Sequence, residues 1–284
     1  MSPWFSDHLQ LVMSPEAIIV ERMTHQLNVF SRRHASRSKV TVKACRGGNG
    51  RLPWQDAIAA LAVTIKQIDA TGFGRARTTV ILSNHFVRYA LMPWSALIDD
   101  EKEELALGRH CLREIYGPAA DRWELRIAPQ KRGVPRLVSA VEPELLEALR
   151  NAFAGTSIPL VSIQPWLMTI CNRHRHVLEK QDGWLALVEP GALCMLLLQA
   201  QRMTRLRQYR LNHVWPVELI TALEREHYLT SQDEQIKNVL LVGLETEDQP
   251  FPPGLAWNLR WLELTSTADP KPAGNDGLAL SVGD

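Results

Sequence analysis

Residues 183–211 read GWLALVEPGALCMLLLQAQRMTRLRQYRL. Three β-rich runs lie in this stretch: Trp184–Glu189, Ala192–Gln199 and Thr204–Leu211. Pro190-Gly191 separates the first two and Gln201-Arg202 the last two, and such short polar or Pro/Gly breaks between strand-length apolar runs predict an antiparallel meander. Downstream, Val217–Glu226 carries a helical pattern, Val239–Val242 reads as a buried strand ending at Gly243, and Trp257–Leu264 as a last strand. Three hairpin strands followed by alternating helix and strand make an α/β unit.

The N-terminal half opens in the same way. His8–Met13 and Ala17–Met23 are β-rich runs joined by the turn Ser14-Pro15-Glu16, and Lys39–Cys45 is predicted as a third strand. Gln55–Ile68 places apolar residues at 57, 58, 61, 62 and 65, a helical stripe entered through Pro53-Trp54. Thr78–Tyr89 reads as one long strand, Glu101–Tyr116 as a charged amphipathic helix, and Trp123–Ile127 and Leu137–Val141 as two more strands. Pro143 opens a helix over 144–154, as proline at a first turn favours. A short strand at Pro159–Ile163 leads into a helix over Leu167–Leu178.

Composition narrows the function. The 284 residues are 45% hydrophobic and carry 32 basic against 31 acidic side chains, a net charge of +1, which argues against a general nucleic-acid coat. Cys45, Cys111, Cys171 and Cys194 form no CxxC pair, so they read as free thiols of a reducing compartment and not as a zinc site. The N-terminal MSPWFSDHLQL has no signal-peptide pattern, and no run reaches the ~18 apolar residues of a membrane helix. No GxSxG, HExxH or Cys–His nucleophile pattern is present.

Three stretches carry a family resemblance: VILSNHFVRYALMPW (80–94), RLVSAVEPELLEALRNAFAGTSIPLVSIQPWLMTICN (136–172) and the meander at 183–211. Together they resemble the actin-like proteins of pilus and secretion platforms, of the PilM and GspL kind. The resemblance implies a two-lobed actin-like (ribonuclease H-like) α/β fold with a small inserted α/β subdomain. Residues 1–164 would be the first lobe, with a strand–helix–strand insert at about 121–164. Residues 165–265 would be the second lobe, and the polar stretch 266–284 reads as a disordered tail. It further implies a cytoplasmic scaffold, peripheral at the inner membrane, that binds the cytoplasmic tail of an inner-membrane pilus or secretion protein. An assembly ATPase and a second copy of the chain are further implied partners.

Nucleotide-binding proteins of this fold cradle phosphate on two glycine-rich hairpin turns, each preceded by Asp. Exposed backbone N–H groups do the cradling, and glycine permits the approach. Here the first turn, Met13-Ser14-Pro15-Glu16, has neither Asp nor Gly, and the second, Glu189-Pro190-Gly191, has Glu and a proline without an N–H. If ATP with Mg is bound, Glu189, Gly191 and Gly243 are the candidate contacts; with both turns weakened, the expected reading is no cofactor and no hydrolysis.

Other features weigh toward plain roles. Gly47-Gly48-Asn49-Gly50 lacks the Lys-Ser/Thr of a P-loop and reads as a flexible loop. His174 and His176 are two apart on a helix, so Asn172–His176 reads as a solvated basic face; Arg173 and His174 are its candidate partner contacts. His85 and Arg88 lie in the apolar run at 78–89 and are expected on opposite strand faces, with Arg88 a further candidate partner contact. The acids at 99–104 suit a helix N-terminus.

Overall fold

A computed structural model describes residues 8–26, 34–43, 52–71, 76–98, 100–212, 214–229, 236–243, 249–262 and 280–281. The Gly47–Gly50 loop, Cys45 and nearly all of the stretch 266–284 lie outside the described residues.

The strands are β1 (His8–Met13), β2 (Ala17–Gln26), β3 (His34–Lys43), β4 (Arg77–Leu82), β5 (Val87–Met92), β6 (Glu124–Ile127), β7 (Arg136–Val141), β8 (Leu160–Pro165), β9 (Gly183–Glu189), β10 (Ala192–Gln199), β11 (Arg202–Arg210), β12 (Asn238–Gly243), β13 (Asn258–Trp261) and β14 (Leu280–Ser281). The helices are α1 (Pro53–Ala70), α2 (Glu101–Tyr116), α3 (Pro143–Phe153), α4 (Trp166–Arg173), α5 (Arg175–Leu178) and α6 (Trp215–Tyr228).

Two sheets share one plan. In the first, the order is β3-β2-β1-β4-β8, with β14 added beyond β8; in the second it is β11-β10-β9-β12-β13. Each begins with an antiparallel meander, and each continues with two strands parallel to the meander's first strand. Parallel pairing needs a long crossover, which α6 supplies between β11 and β12.

A third sheet, β5-β7-β6, forms the insert between β4 and β8. It recruits Val87–Met92, so the inserted sheet spans residues 87–141 and not about 121–164. α3 packs back on α1, and β8 rejoins the first sheet beside β4. The cause is local. The apolar run at 78–89 is not one strand, because Ser83–Phe86 form a turn closed by the Phe86 N–H donating to Ser83 O at 3.0 Å. Ser and Asn are turn formers whose side chains compete with a strand ladder.

Burial explains the long apolar runs of the second lobe. Every residue of β9 is buried, and so is the interior of β10. The alternate residues Leu185, Leu187, Cys194, Leu196, Leu240 and Val242 join the main core, which continues into α4 and the first sheet. Trp184, Ala186, Val188, Met195, Leu197 and Leu241 face the other way, onto Leu219 and Leu223 of α6. A sheet covered on both sides reads as continuous hydrophobic sequence. Gly183 is required where β9 meets β12: a Cβ there would lie 2.8 Å from Asn238 O.

Candidate functional site at the lobe junction

Three turns meet where the carboxyl ends of β1, β4 and β9 converge. The first is the β1–β2 turn at Ser14–Glu16. Its Ser14 N–H donates to Ala17 O at 2.9 Å, and the Ala17 N–H donates to the Ser14 hydroxyl at 3.0 Å. With Pro15 lacking an N–H, those donors are spent within the turn itself. The second is the Ser83–Phe86 turn, anchored to the first by the Ser83 N–H donating to Met13 O at 3.0 Å. The third is the β9–β10 turn at Pro190-Gly191. Gly191 has φ of +79°, the left-handed region that favours glycine.

Glu189 ends β9 and is only 1% exposed. Its carboxyl is occupied by the opposite lobe: the Ser83 hydroxyl donates to Oε2, and the Asn84 backbone N–H donates to Oε1 at 3.0 Å. The His85 ring Nε2 lies 2.8 Å from Pro190 O. Gln208 of β11 reaches across as well, donating through Nε2 to Asn84 O at 3.2 Å and Val87 O at 3.0 Å. The Tyr116 hydroxyl, at the end of α2, donates to Gln208 Oε1 at 2.8 Å and accepts the Tyr89 N–H at 3.3 Å. The Tyr89 hydroxyl beneath the turn donates to Asn84 Oδ1 at 2.9 Å.

Electrostatics follow from burial. Removal from water pushes the Glu189 carboxyl up to about 7, against the downward pull of its bonds from Ser83 and Asn84. Burial likewise raises the Tyr89 hydroxyl and the Cys194 thiol well above their ordinary values, so both are neutral.

The predicted candidates distribute unevenly. Glu189 and Gly191 adjoin each other, and Gly243 sits at the same sheet end, since it pairs with Val188 in the parallel β9–β12 ladder. Carboxyl ends of parallel strands are where α/β sheets bind ligands. Arg88 lies in β5, not in one strand with His85; its Nη1 donates to His85 O at 2.9 Å. It helps line a recess between α1, the Ser83–Phe86 turn and the insert, together with Trp54, Trp123, His85 and Glu142. The recess has about 40 Å³ of accessible volume, room for a few waters, where small-molecule sites span roughly 300–1,000 Å³. The Trp54 Nε1–H donates to Glu142 Oε2 at 2.7 Å across it.

Arg173 and His174 stand elsewhere, at the junction of α4 and α5. The basic face expected there is only partly solvated, because His174 is buried, 6% exposed, and its Nε2 has no hydrogen-bond partner. Burial, then the Arg173 charge, lowers its basicity. Sequence reasoning missed Ser83, Asn84, Tyr116 and Gln208. A Ser-Asn pair inside an apolar run was a usable turn signal; nothing marks Gln208 on its strand.

Among the described residues, no cluster of His, Cys, Asp and Glu could hold a metal ion, Cys111, Cys171 and Cys194 are free, and no helix is long and apolar enough to cross a membrane. No family model matches the chain, and no curated protein matches it. Solved structures do. The chain is similar to a protein of the PilM–PilN type IV pilus biogenesis complex at 17% identity and a TM-score of 0.57, over 83% of this chain and 81% of that one. It is similar to the cytoplasmic domain of EpsL, an inner-membrane component of the type II secretion system of Vibrio cholerae, at 10% identity and 0.54, over 91% of each chain. A Bacteroides thetaiotaomicron protein with an actin-like ATPase fold and unknown function matches at 9% and 0.52, over 86% of each.

The chain has the actin-like fold. The likeness to a pilus protein and a secretion protein covers 83% and 91% of its length. In this actin-like frame the two hairpin turns and the end of β12 surround the lobe junction, and the junction is filled by Ser83, Asn84 and His85.

Proposed function

We propose that this protein is an actin-like scaffold of a type IV pilus or type II secretion-like assembly platform, which binds the cytoplasmic tail of an inner-membrane protein and does not hydrolyse ATP. Glu189 carries the reading: the carboxylate best placed to serve a metal–nucleotide has both oxygens bonded to the opposite lobe. The β1–β2 turn spends donors on itself, and each hairpin turn carries a proline where a phosphate cradle needs an N–H. These residues do not fit Mg-ATP. Likeness to a protein of the PilM–PilN complex supports the partner class.

The recess at Arg88 has room for at most one small anchoring side chain of a peptide lying across it. Trp54 and Trp123 offer apolar walls, Arg88 a cation, and a few buried anchors carry most of the affinity in such contacts. Recruitment of an assembly ATPase and self-association belong to the same scaffold reading. The rival reading is a divergent ATPase or small-molecule kinase. One observation favours it, the gathering of Glu189, Gly191 and Gly243 at one sheet end.

The test is a fluorescence titration with synthetic peptides copying the cytoplasmic tails of inner-membrane pilus and secretion components. Saturable binding is expected, weakened at least tenfold by Arg88→Ala, with circular dichroism confirming that the variant is folded. Failure of every tail to bind contradicts the scaffold reading.

A further inference from the structure

We propose that the Glu189 carboxyl is a proton-operated latch between the two lobes, closed when protonated and released when ionised. The lobes are tied at this point by polar contacts between residues more than 90 positions apart: Glu189 to Ser83 and Asn84, His85 to Pro190, Gln208 to Asn84 and Val87, and Tyr116 to Gln208. Of these, the carboxyl is central and fully buried.

Its neighbours come from the Ser83–Phe86 turn, β5, β10 and α4. The Ser83–Phe86 turn presents a hydroxyl and a backbone N–H. From β5 comes the Tyr89 phenol and from β10 the Cys194 thiol, both neutral, and beyond them Cys171 of α4, pushed up to about 12 by burial. His85 points its ring at Pro190 O, and the Arg88 guanidinium is turned to the carbonyls of His85 and Val87. The carboxyl's own hydrogen-bond partners are therefore uncharged.

Protonated, Glu189 stays paired through Oε2 with the Ser83 hydroxyl, whose oxygen accepts the His85 N–H at 3.2 Å, and Oε1 keeps the Asn84 N–H. No charge is then buried at the junction, and the one polar atom of the turn without a partner is Asn84 Nδ2. Ionised, the same site holds a buried negative charge met only by two neutral donors, the Ser83 hydroxyl and the Asn84 N–H, a desolvation cost that favours parting of the turns and entry of water. Because burial places the change near pH 7, both forms are populated near neutrality. The latch rests on the contacts between the lobes and on the burial of Glu189, and does not depend on which partner the scaffold binds.

Nuclear magnetic resonance on the full chain tests it, with the Glu189 side-chain carbon and the Asn84 amide followed from pH 5 to 9. Hydrogen exchange at residues 83–89 and 189–193, corrected for intrinsic rates, reports opening. The latch predicts one midpoint near 7 for both nuclei and at least tenfold faster exchange above it. Glu189→Gln should stay closed throughout, and Ser83→Ala, which removes a bond to the charged form, should move the midpoint up. A wild-type midpoint near 4.5, an unmoved midpoint in Ser83→Ala, or the same response in Glu189→Gln (which would assign it to His85) overturns the proposal. Should Glu189→Gln not fold, the wild-type and Ser83→Ala titrations still decide.

Discussion

Glu189→Gln keeps the side chain's shape and removes its charge, so its effect on stability has a definite sign with pH. The unfolded carboxyl titrates near 4.5 and the folded one near 7. Between those values the folded protein holds a proton that the unfolded chain releases. Stability from this group is therefore full below pH 4.5, falls as pH rises to 7 and is flat beyond. The shift corresponds to a loss on the order of 3 kcal/mol. Urea unfolding across pH 4–8 should show this slope in the wild type and a shallower one in the Gln variant. Tyr116→Phe should cost about 1–2 kcal/mol, because it leaves Gln208 Oε1 and the Tyr89 N–H without their hydroxyl partner. Combined with Gln208→Ala it should cost less than the two singles summed, since the pair shares one hydrogen bond. Neither Tyr116 nor Gln208 was legible in the sequence. Both act through contacts between segments 92 residues apart, and a polar residue on a strand carries no sign of what faces it.

At the scale of elements, the hairpins and most helices could be read because their signals are local. Pro143 sits in the first turn of α3, and Ala57, Leu61 and Ile65 bury one stripe of α1. The run at 78–89 misled because turn and strand there are both rich in buried residues: Ser83 and Asn84 are as inaccessible as the leucines around them. The Ser83 hydroxyl and the Asn84 N–H are met by a carboxylate from the other lobe, which periodicity cannot register. The helix expected over Leu167–Leu178 is likewise divided at His174, whose φ of −102° and ψ of 17° depart from helical values. The β10–β11 turn makes a separate prediction. Ala200 and Gln201 have φ of 48° and 61°, strained for non-glycine residues. Gln201→Gly should raise unfolding stability by about 0.5–1 kcal/mol in urea titrations, the relief of strain exceeding glycine's added freedom in the unfolded chain. Gly191→Ala should do the opposite, costing about 1–2 kcal/mol at φ of +79°.

For the whole molecule, the duplicated order β3-β2-β1-β4-β8 and β11-β10-β9-β12-β13 decides the fold. What was legible is that each half opens with hairpin strands and then alternates helix and strand; the strand order itself comes from long-range pairings that the sequence does not show. The edge of the insert was not legible either, since β5 is continuous in sequence with β4 yet pairs with β7. The scaffold reading depends on a junction filled by Ser83, Asn84 and His85 in place of a ligand. Thermal unfolding with and without millimolar Mg-ATP and Mg-ADP tests this most directly. A ligand at about 100 times its dissociation constant adds roughly 2.7 kcal/mol, worth about 5 °C or more in a domain of this size. The filled junction predicts no shift with either nucleotide. A clear upward shift, abolished by Glu189→Ala, would contradict it and return Glu189, Gly191 and Gly243 to a nucleotide site.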